Sequence, residues 1–112
     1  MTWKIILLDE VAQWVESLDP QDLKMVQRML AMLSQEGQRM RMPHSRPLGQ
    51  GLFELRFEIR RGTVAQRITY FFDPVSMIIC LTTFHKTRQL DLTNVARARR
   101  AMNDYKRRSK EQ

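Results

Sequence analysis

From Phe53 the chain alternates strictly: Phe53, Leu55, Phe57 and Ile59 are apolar, whereas Glu54, Arg56, Glu58 and Arg60 are charged. A period of two predicts a strand with one core face and one wet face. Arg61-Gly62 supplies a turn, with Gly62 free to take positive φ, so a hairpin should return along residues 65–72. Asp73-Pro74 makes a second turn into a strand over 76–84. Upstream, residues 3–9 are a short β-branched, apolar run that predicts a buried first strand. Val11, Trp14, Val15 and Leu18 then recur at helical spacing, with Asp9 as a cap. Asp19-Pro20 closes that helix and opens a second over 20–36 that stops at Gly37.

The second helix carries a Leu23/Val26/Leu30/Leu33 stripe with Met25, Met29 and Met32 beside it. A face that wide fits a helix packed between the sheet and its neighbour, or one that also receives a protein partner. Residues 38–51 hold two prolines, two glycines, three arginines and His44, and read as an irregular cationic loop. A last helix is expected over 92–108, capped by Asp91 or Thr93, with Leu92, Val95, Ala96, Ala98, Met102 and Tyr105 as its apolar positions. The set predicts an α+β fold: an N-terminal strand, a two-helix hairpin, a three-stranded antiparallel meander completing one sheet, and a C-terminal helix. At 112 residues the whole chain, 1–112, is expected to be one domain.

Charge sharpens this picture. Nineteen Lys and Arg against twelve Asp and Glu give a net charge of +7 and a pI near 10.3, which favours an acidic partner such as nucleic acid without naming one. The single cysteine, Cys80, lies in the apolar run MIICL and reads as a buried, inert thiol. The apolar run at the N-terminus is too short for a signal peptide, and no segment approaches the ~20 apolar residues of a membrane helix. The expectation is a cytoplasmic protein with no membrane association.

The chemistry-bearing residues cluster on the predicted meander. With Arg61-Gly62 in the turn, a regular register sets Arg56 opposite or diagonal to Arg67, with Glu54 and Glu58 flanking the pair. Pattern alone leaves two readings open: a salt-bridged, solvated sheet face, or a phosphate clamp built on the planar guanidinium fork. His85-Lys86 ends the third strand of the meander, where a side chain is accessible on a fixed backbone and an imidazole could move protons. Two histidines without paired carboxylates make no metal site, and nothing calls for a cofactor.

The phrases Pro43-His44-Ser45-Arg46-Pro47-Leu48-Gly49, Gly51-Leu52-Phe53-Glu54-Leu55-Arg56, Arg67-Ile68-Thr69-Tyr70-Phe71-Phe72 and Phe84-His85-Lys86-Thr87 carry a resemblance. With Ala96, Ala98, Arg99, Met102 and Tyr105 on the last helix, the chain resembles the RelE/ParE toxin superfamily, in particular its phage-derived, HigB-like branch. The resemblance implies a RelE-like fold and the toxin of a type II toxin–antitoxin system. Its partners would be a cognate antitoxin, typically a helix-turn-helix DNA-binding protein, together with the ribosome and mRNA. It implies ribosome-dependent endoribonuclease chemistry, in which the ribose 2′-OH attacks the adjacent phosphate to leave a 2′,3′-cyclic phosphate and a 5′-OH.

On that reading Arg56 and Arg67 stabilise charge, His85 or Lys86 moves protons, and Arg46, Arg60 and Arg88 hold RNA. The chain departs from the family pattern in placing His85 first of the two basic residues after the final strand, and in lacking an evident late catalytic tyrosine. Two other readings remain: a ParE-like toxin that binds DNA gyrase, and an RNA-binding domain whose nuclease function has lapsed. The last would need base-stacking aromatics on the polar face, for which Phe71 is the one candidate.

Overall fold

The computed structural model describes residues 2–87 and 91–110. Its elements are β1 (Lys4–Leu7), α1 (Asp9–Glu16), α2 (Pro20–Glu36), a 3-10 turn at Gly37–Arg39, β2 (Ser45–Gly49), β3 (Leu52–Ile59), β4 (Val64–Asp73), β5 (Met77–His85) and α3 (Leu92–Lys110). The strands form one sheet in the order β1-β5-β4-β3-β2. β1 runs parallel to β5, and the other pairs are antiparallel.

The expected meander is β3-β4-β5. The expected loop over 38–51 is corrected: Ser45–Gly49 is a strand that pairs with β3. It lies at the edge of the sheet, where Pro47 has no second ladder to serve and its missing N–H costs little. Asp9 is the first residue of α1 rather than its cap; the cap position is Leu8, which offers no side-chain acceptor. Asp19 does cap α2, accepting from the Asp22 N–H at 2.8 Å, and Gly37 ends it at φ 55. Asp91 caps α3 by accepting from the Asn94 N–H at 3.2 Å.

Both faces of the sheet are partly covered. On the first, Val11, Val26, Met29 and Leu33 from α1 and α2 pack on Leu55, Phe57, Ile59, Ile68, Tyr70, Ile78 and Cys80. The α2 methionines therefore serve mainly as core. The second face, expected to be wet, is half covered, because Ala98 and Met102 of α3 close over Leu52, Phe71, Ile79 and Leu81. Phe71 is buried there, edge-on to Tyr105 and under the Lys106 ammonium, so it presents no stacking surface to RNA. Arg99 ties α3 to the β2–β3 turn by donating to the Leu48 and Gly49 carbonyls at 3.0 and 3.2 Å. No helix among the described residues is long and apolar enough to cross a membrane.

Candidate functional site

The half of the second sheet face that α3 leaves open is a grid of polar side chains whose places follow from strand register. Its central row is His44, Arg56, Arg67 and Phe84. Arg56 pairs directly with Arg67, and Arg67 with Phe84. His44 stands one residue before β2 but continues its ladder, its carbonyl accepting from the Arg56 N–H at 2.7 Å. The row nearer α3 is Arg46, Glu54, Thr69 and Thr82. The row beyond is Glu58, Ala65 and Lys86, with the Lys86 N–H donating to the Ala65 carbonyl at 2.7 Å. Neighbouring rows lie two residues apart along each strand, and neighbouring columns one strand spacing apart, roughly 4.8 Å.

A register shift in β5 settles which residue at its end belongs to this grid. Tyr70 pairs with Cys80, but Thr69 pairs with Thr82, so Leu81 is an extra residue in β5. The Thr69 hydroxyl accepts the Thr82 N–H at 3.1 Å and bonds the Thr82 hydroxyl at 2.6 Å, which satisfies backbone that the bulge takes out of the ladder. Beyond the bulge Phe84 and Lys86 share a face with Arg67, while His85, paired with Gln66, lies on the opposite face. Gln66 in turn donates to Thr83 Oγ1 at 2.8 Å.

The electrostatics of the grid are unusual for an exposed sheet surface. Glu54 is 2% exposed, and its Oε2 lies 3.7 Å from both Arg56 Nη1 and Arg67 Nε. These are ion pairs too long to be hydrogen bonds. Arg67 is itself buried; its Nη1 donates to the Gln66 carbonyl at 3.0 Å, but its Nε meets no acceptor. Burial first, and then the neighbouring Arg56, lower its pKa, with Glu54 pulling the other way. A guanidinium keeps its charge under such conditions. The grid therefore holds two neighbouring cations against one carboxylate, with Arg67 Nε making an ion pair but no hydrogen bond, and an anionic oxygen would offset the excess charge.

The predicted site residues divide between two places. Arg46, Arg56, Arg67 and Lys86 share the open face just described. His85 and Arg60 instead line a cleft of about 800 Å³ on the other side, between the α1–α2 turn and the β3–β4 turn, together with Trp14, Arg61 and Gln66. Arg60 and Arg61 take positive φ there (52° and 58°), and the buried Asp22 carboxylate accepts the Arg60 N–H at 2.9 Å. Arg88 lies outside the described residues. His44, read as a loop residue, lines a second cavity of about 500 Å³ with Met25, Met29, Arg56, Glu58 and Arg67. The signal that could have found it is that a proline-bearing segment beside an alternating strand is a legitimate edge strand, and its register then sets His44 against Arg56. Among the described residues no cluster of three potential metal ligands occurs.

Comparison with known proteins agrees with this architecture. Residues 13–106 match the model of a family described as phage-derived Gp49-like proteins. No curated protein matches the chain. Among solved structures, the toxin–antitoxin complex RelBE2 from Mycobacterium tuberculosis superposes with a TM-score of 0.58 at 20% identity, covering 77% of this chain and 100% of that one. A mutant of the E. coli toxin RelE in which two arginines are replaced by alanine, in its free state, gives a TM-score of 0.54 at 7% identity, covering 74% of this chain and 82% of that one. At such identities the likeness is one of fold, and the fold is RelE-like.

Proposed function

The chain belongs to the phage-derived Gp49-like family, and from that premise and the cationic grid on its sheet we propose that it is the toxin of a type II toxin–antitoxin system. In this reading it is an endoribonuclease that inhibits translation by cutting mRNA on the ribosome, in the cytoplasm of the producing cell. The observation that carries the nuclease reading is the buried Arg67 guanidinium, set directly opposite Arg56 so that two cations share the single carboxylate of Glu54. Two adjacent guanidiniums against one carboxylate leave an excess of positive charge, which suits an anionic phosphate.

Cleavage by the 2′-OH passes through a phosphorane whose added negative charge needs fixed cations. Arg67 and Arg56 supply them, with Glu54 restraining both between turnovers. Lys86 shares their face, and as an ammonium it protonates the departing 5′-oxygen. His85, on the other face, takes no part in that step and lines the cleft with Arg60, where the pair can contact flanking RNA. Arg46 continues the track along β2. A cognate antitoxin follows from the toxin assignment, and the likeness to a protein solved as a toxin–antitoxin complex supports it. A small helix-turn-helix protein encoded beside this chain is the expected form.

The test is expression from a tightly repressed promoter, with mRNA 5′ ends mapped by primer extension. Wild type should produce discrete cuts within translated frames, Arg67→Ala and Lys86→Ala should lose them, and His85→Ala should keep them. Gyrase-dependent DNA damage with intact mRNA would replace this reading with a ParE-like one.

A further inference from the structure

In-line cleavage needs two proton-transfer groups on opposite sides of the phosphorus, one accepting the 2′-hydroxyl proton and one donating to the 5′-oxygen. Lys86 fills only the second of these roles. Arginine cannot serve as the base. Glu54 is buried and shared between two guanidiniums. Tyr70 faces the α1–α2 core, where its hydroxyl is bonded to Ser45, and Tyr105 packs on Phe71 beneath α3. His85 is on the wrong face.

From this grid we infer that His44 is the general base, an inference that rests on the nuclease reading above. His44 is the next side chain along the central row from Arg56, on the flank away from β5, and Lys86 rises from the β5 flank. The β2 and β5 columns are three strand spacings apart, roughly 14 Å. An imidazole and an extended lysine reaching inward from those columns close on a phosphodiester seated over Arg56 and Arg67. Opposite flanks are what an in-line displacement demands of its base and its acid. The His44 backbone is fixed on both sides: its N–H and that of Ser45 each donate to the Arg41 carbonyl at 3.1 Å, and its carbonyl holds Arg56. Its side chain is exposed, and no hydrogen bond or ion pair engages the imidazole.

In the step, the imidazole nitrogen takes the 2′-hydroxyl proton as the 2′-oxygen bonds to phosphorus. The bond from phosphorus to the 5′-oxygen breaks, and that oxygen leaves with a proton from Lys86. The products are a 2′,3′-cyclic phosphate and a 5′-hydroxyl, with charge and atoms conserved. Glu58, exposed in the row with Lys86, is the competing base. A carboxylate is the weaker choice near neutral pH, because a base works best when its pKa lies near the operating pH.

The experiment measures single-turnover cleavage of mRNA on programmed ribosomes by the purified full chain and by His44→Gln, His44→Ala, Glu58→Gln and Arg67→Ala, with thermal melting as a check on folding. His44→Gln should lose about 10²- to 10⁴-fold in rate, with half-saturating ribosome concentration and melting temperature unchanged. Free imidazole should restore part of the His44→Ala rate in proportion to its concentration, which a merely structural histidine would not allow. A His44→Gln rate within threefold of wild type, or a large loss in Glu58→Gln instead, overturns the inference. If Arg67→Ala is inactive in that same series, the nuclease reading survives it. Absence of cleavage by wild type overturns both.

Discussion

Replacing Glu54 with glutamine separates what the carboxylate does for the fold from what it does for the site. The substitution keeps the shape but exchanges one acceptor oxygen for an amide donor and removes the one carboxylate shared by Arg56 and Arg67. Each ion pair, at 3.7 Å, is worth about 4–5 kcal/mol of gross Coulomb attraction at an effective dielectric near 20. Most of that offsets the cost of burying Glu54, so the net loss is smaller. Breaking a buried pair by removing one partner costs about 3–5 kcal/mol. The Arg56 side chain is 25% exposed, so water screens its half of the arrangement. The expected destabilisation of Glu54→Gln is therefore about 2–4 kcal/mol. Urea unfolding at neutral pH and low salt measures it. Inorganic phosphate adds a second readout: an anion that binds the bared guanidiniums stabilises the folded state by mass action, so the variant should regain stability with phosphate more steeply than wild type. A loss below about 0.5 kcal/mol, the range of ordinary surface substitutions, or identical phosphate dependence in the two proteins, would refute the view that Glu54 occupies an anion site.

Two further outcomes follow from the core. Gly37 ends α2 at φ 55, and a β-carbon there would sit inside the Trp3 indole; Gly37→Ala combines left-handed strain with overpacking and should cost about 3 kcal/mol or more in urea unfolding, whereas a cost near zero would mean the helix end does not pack on Trp3 as described. Burial pushes the Cys80 thiol up to about 12. Because the folded value is raised, the neutral thiol's contribution is complete below the unfolded pKa near 9 and is lost as pH rises through about 12. By pH 10.5 the loss should be about 2 kcal/mol. Tyr70, also raised by burial, adds to the alkaline loss. Cys80→Ala should lose less than wild type between pH 7.5 and 10.5, and parallel losses in the two proteins would exclude the thiol as a cause.

Most of the framework could be read from the chain because each signal had one physical meaning. The alternation from Phe53 to Arg60 could only be a half-buried strand, and with the turn at Arg61-Gly62 it set Arg56 opposite or diagonal to Arg67; the two are directly opposite. Asp19-Pro20 and Gly37 likewise bounded α2 to the residue. The failures lie where a residue type has two uses. Proline at 43 and 47 suggested a loop, but a proline on an edge strand leaves no ladder unpaired, so β2 and with it the place of His44 were hidden. Glu54 was expected on a wet face because charge usually means solvent. It is buried instead against Arg56 and Arg67, which reach it from its own strand and the next, and no local pattern announces that burial.

The placement of His85 and Lys86 was beyond local pattern for a different reason. In an antiparallel pair, side chains directly opposite share a face, so one inserted residue exchanges the faces of everything beyond it. Had β5 continued from the Tyr70–Cys80 pair without interruption, Arg67 would have faced Thr83, and His85 would have joined the arginines while Lys86 turned away. The run MIICLTTF offers no alternation from which to count, since β5 is covered on both faces across that stretch. What decides the matter is the pair of threonines, Thr69 on β4 and Thr82 on β5, whose hydroxyls take up the backbone that Leu81 displaces. A valine at position 69 would leave the Thr82 N–H without its acceptor and remove the local advantage of the bulge. Whether an imidazole or an ammonium shares the face of Arg56 and Arg67 is thus decided by two buried hydroxyls in the row of Glu54.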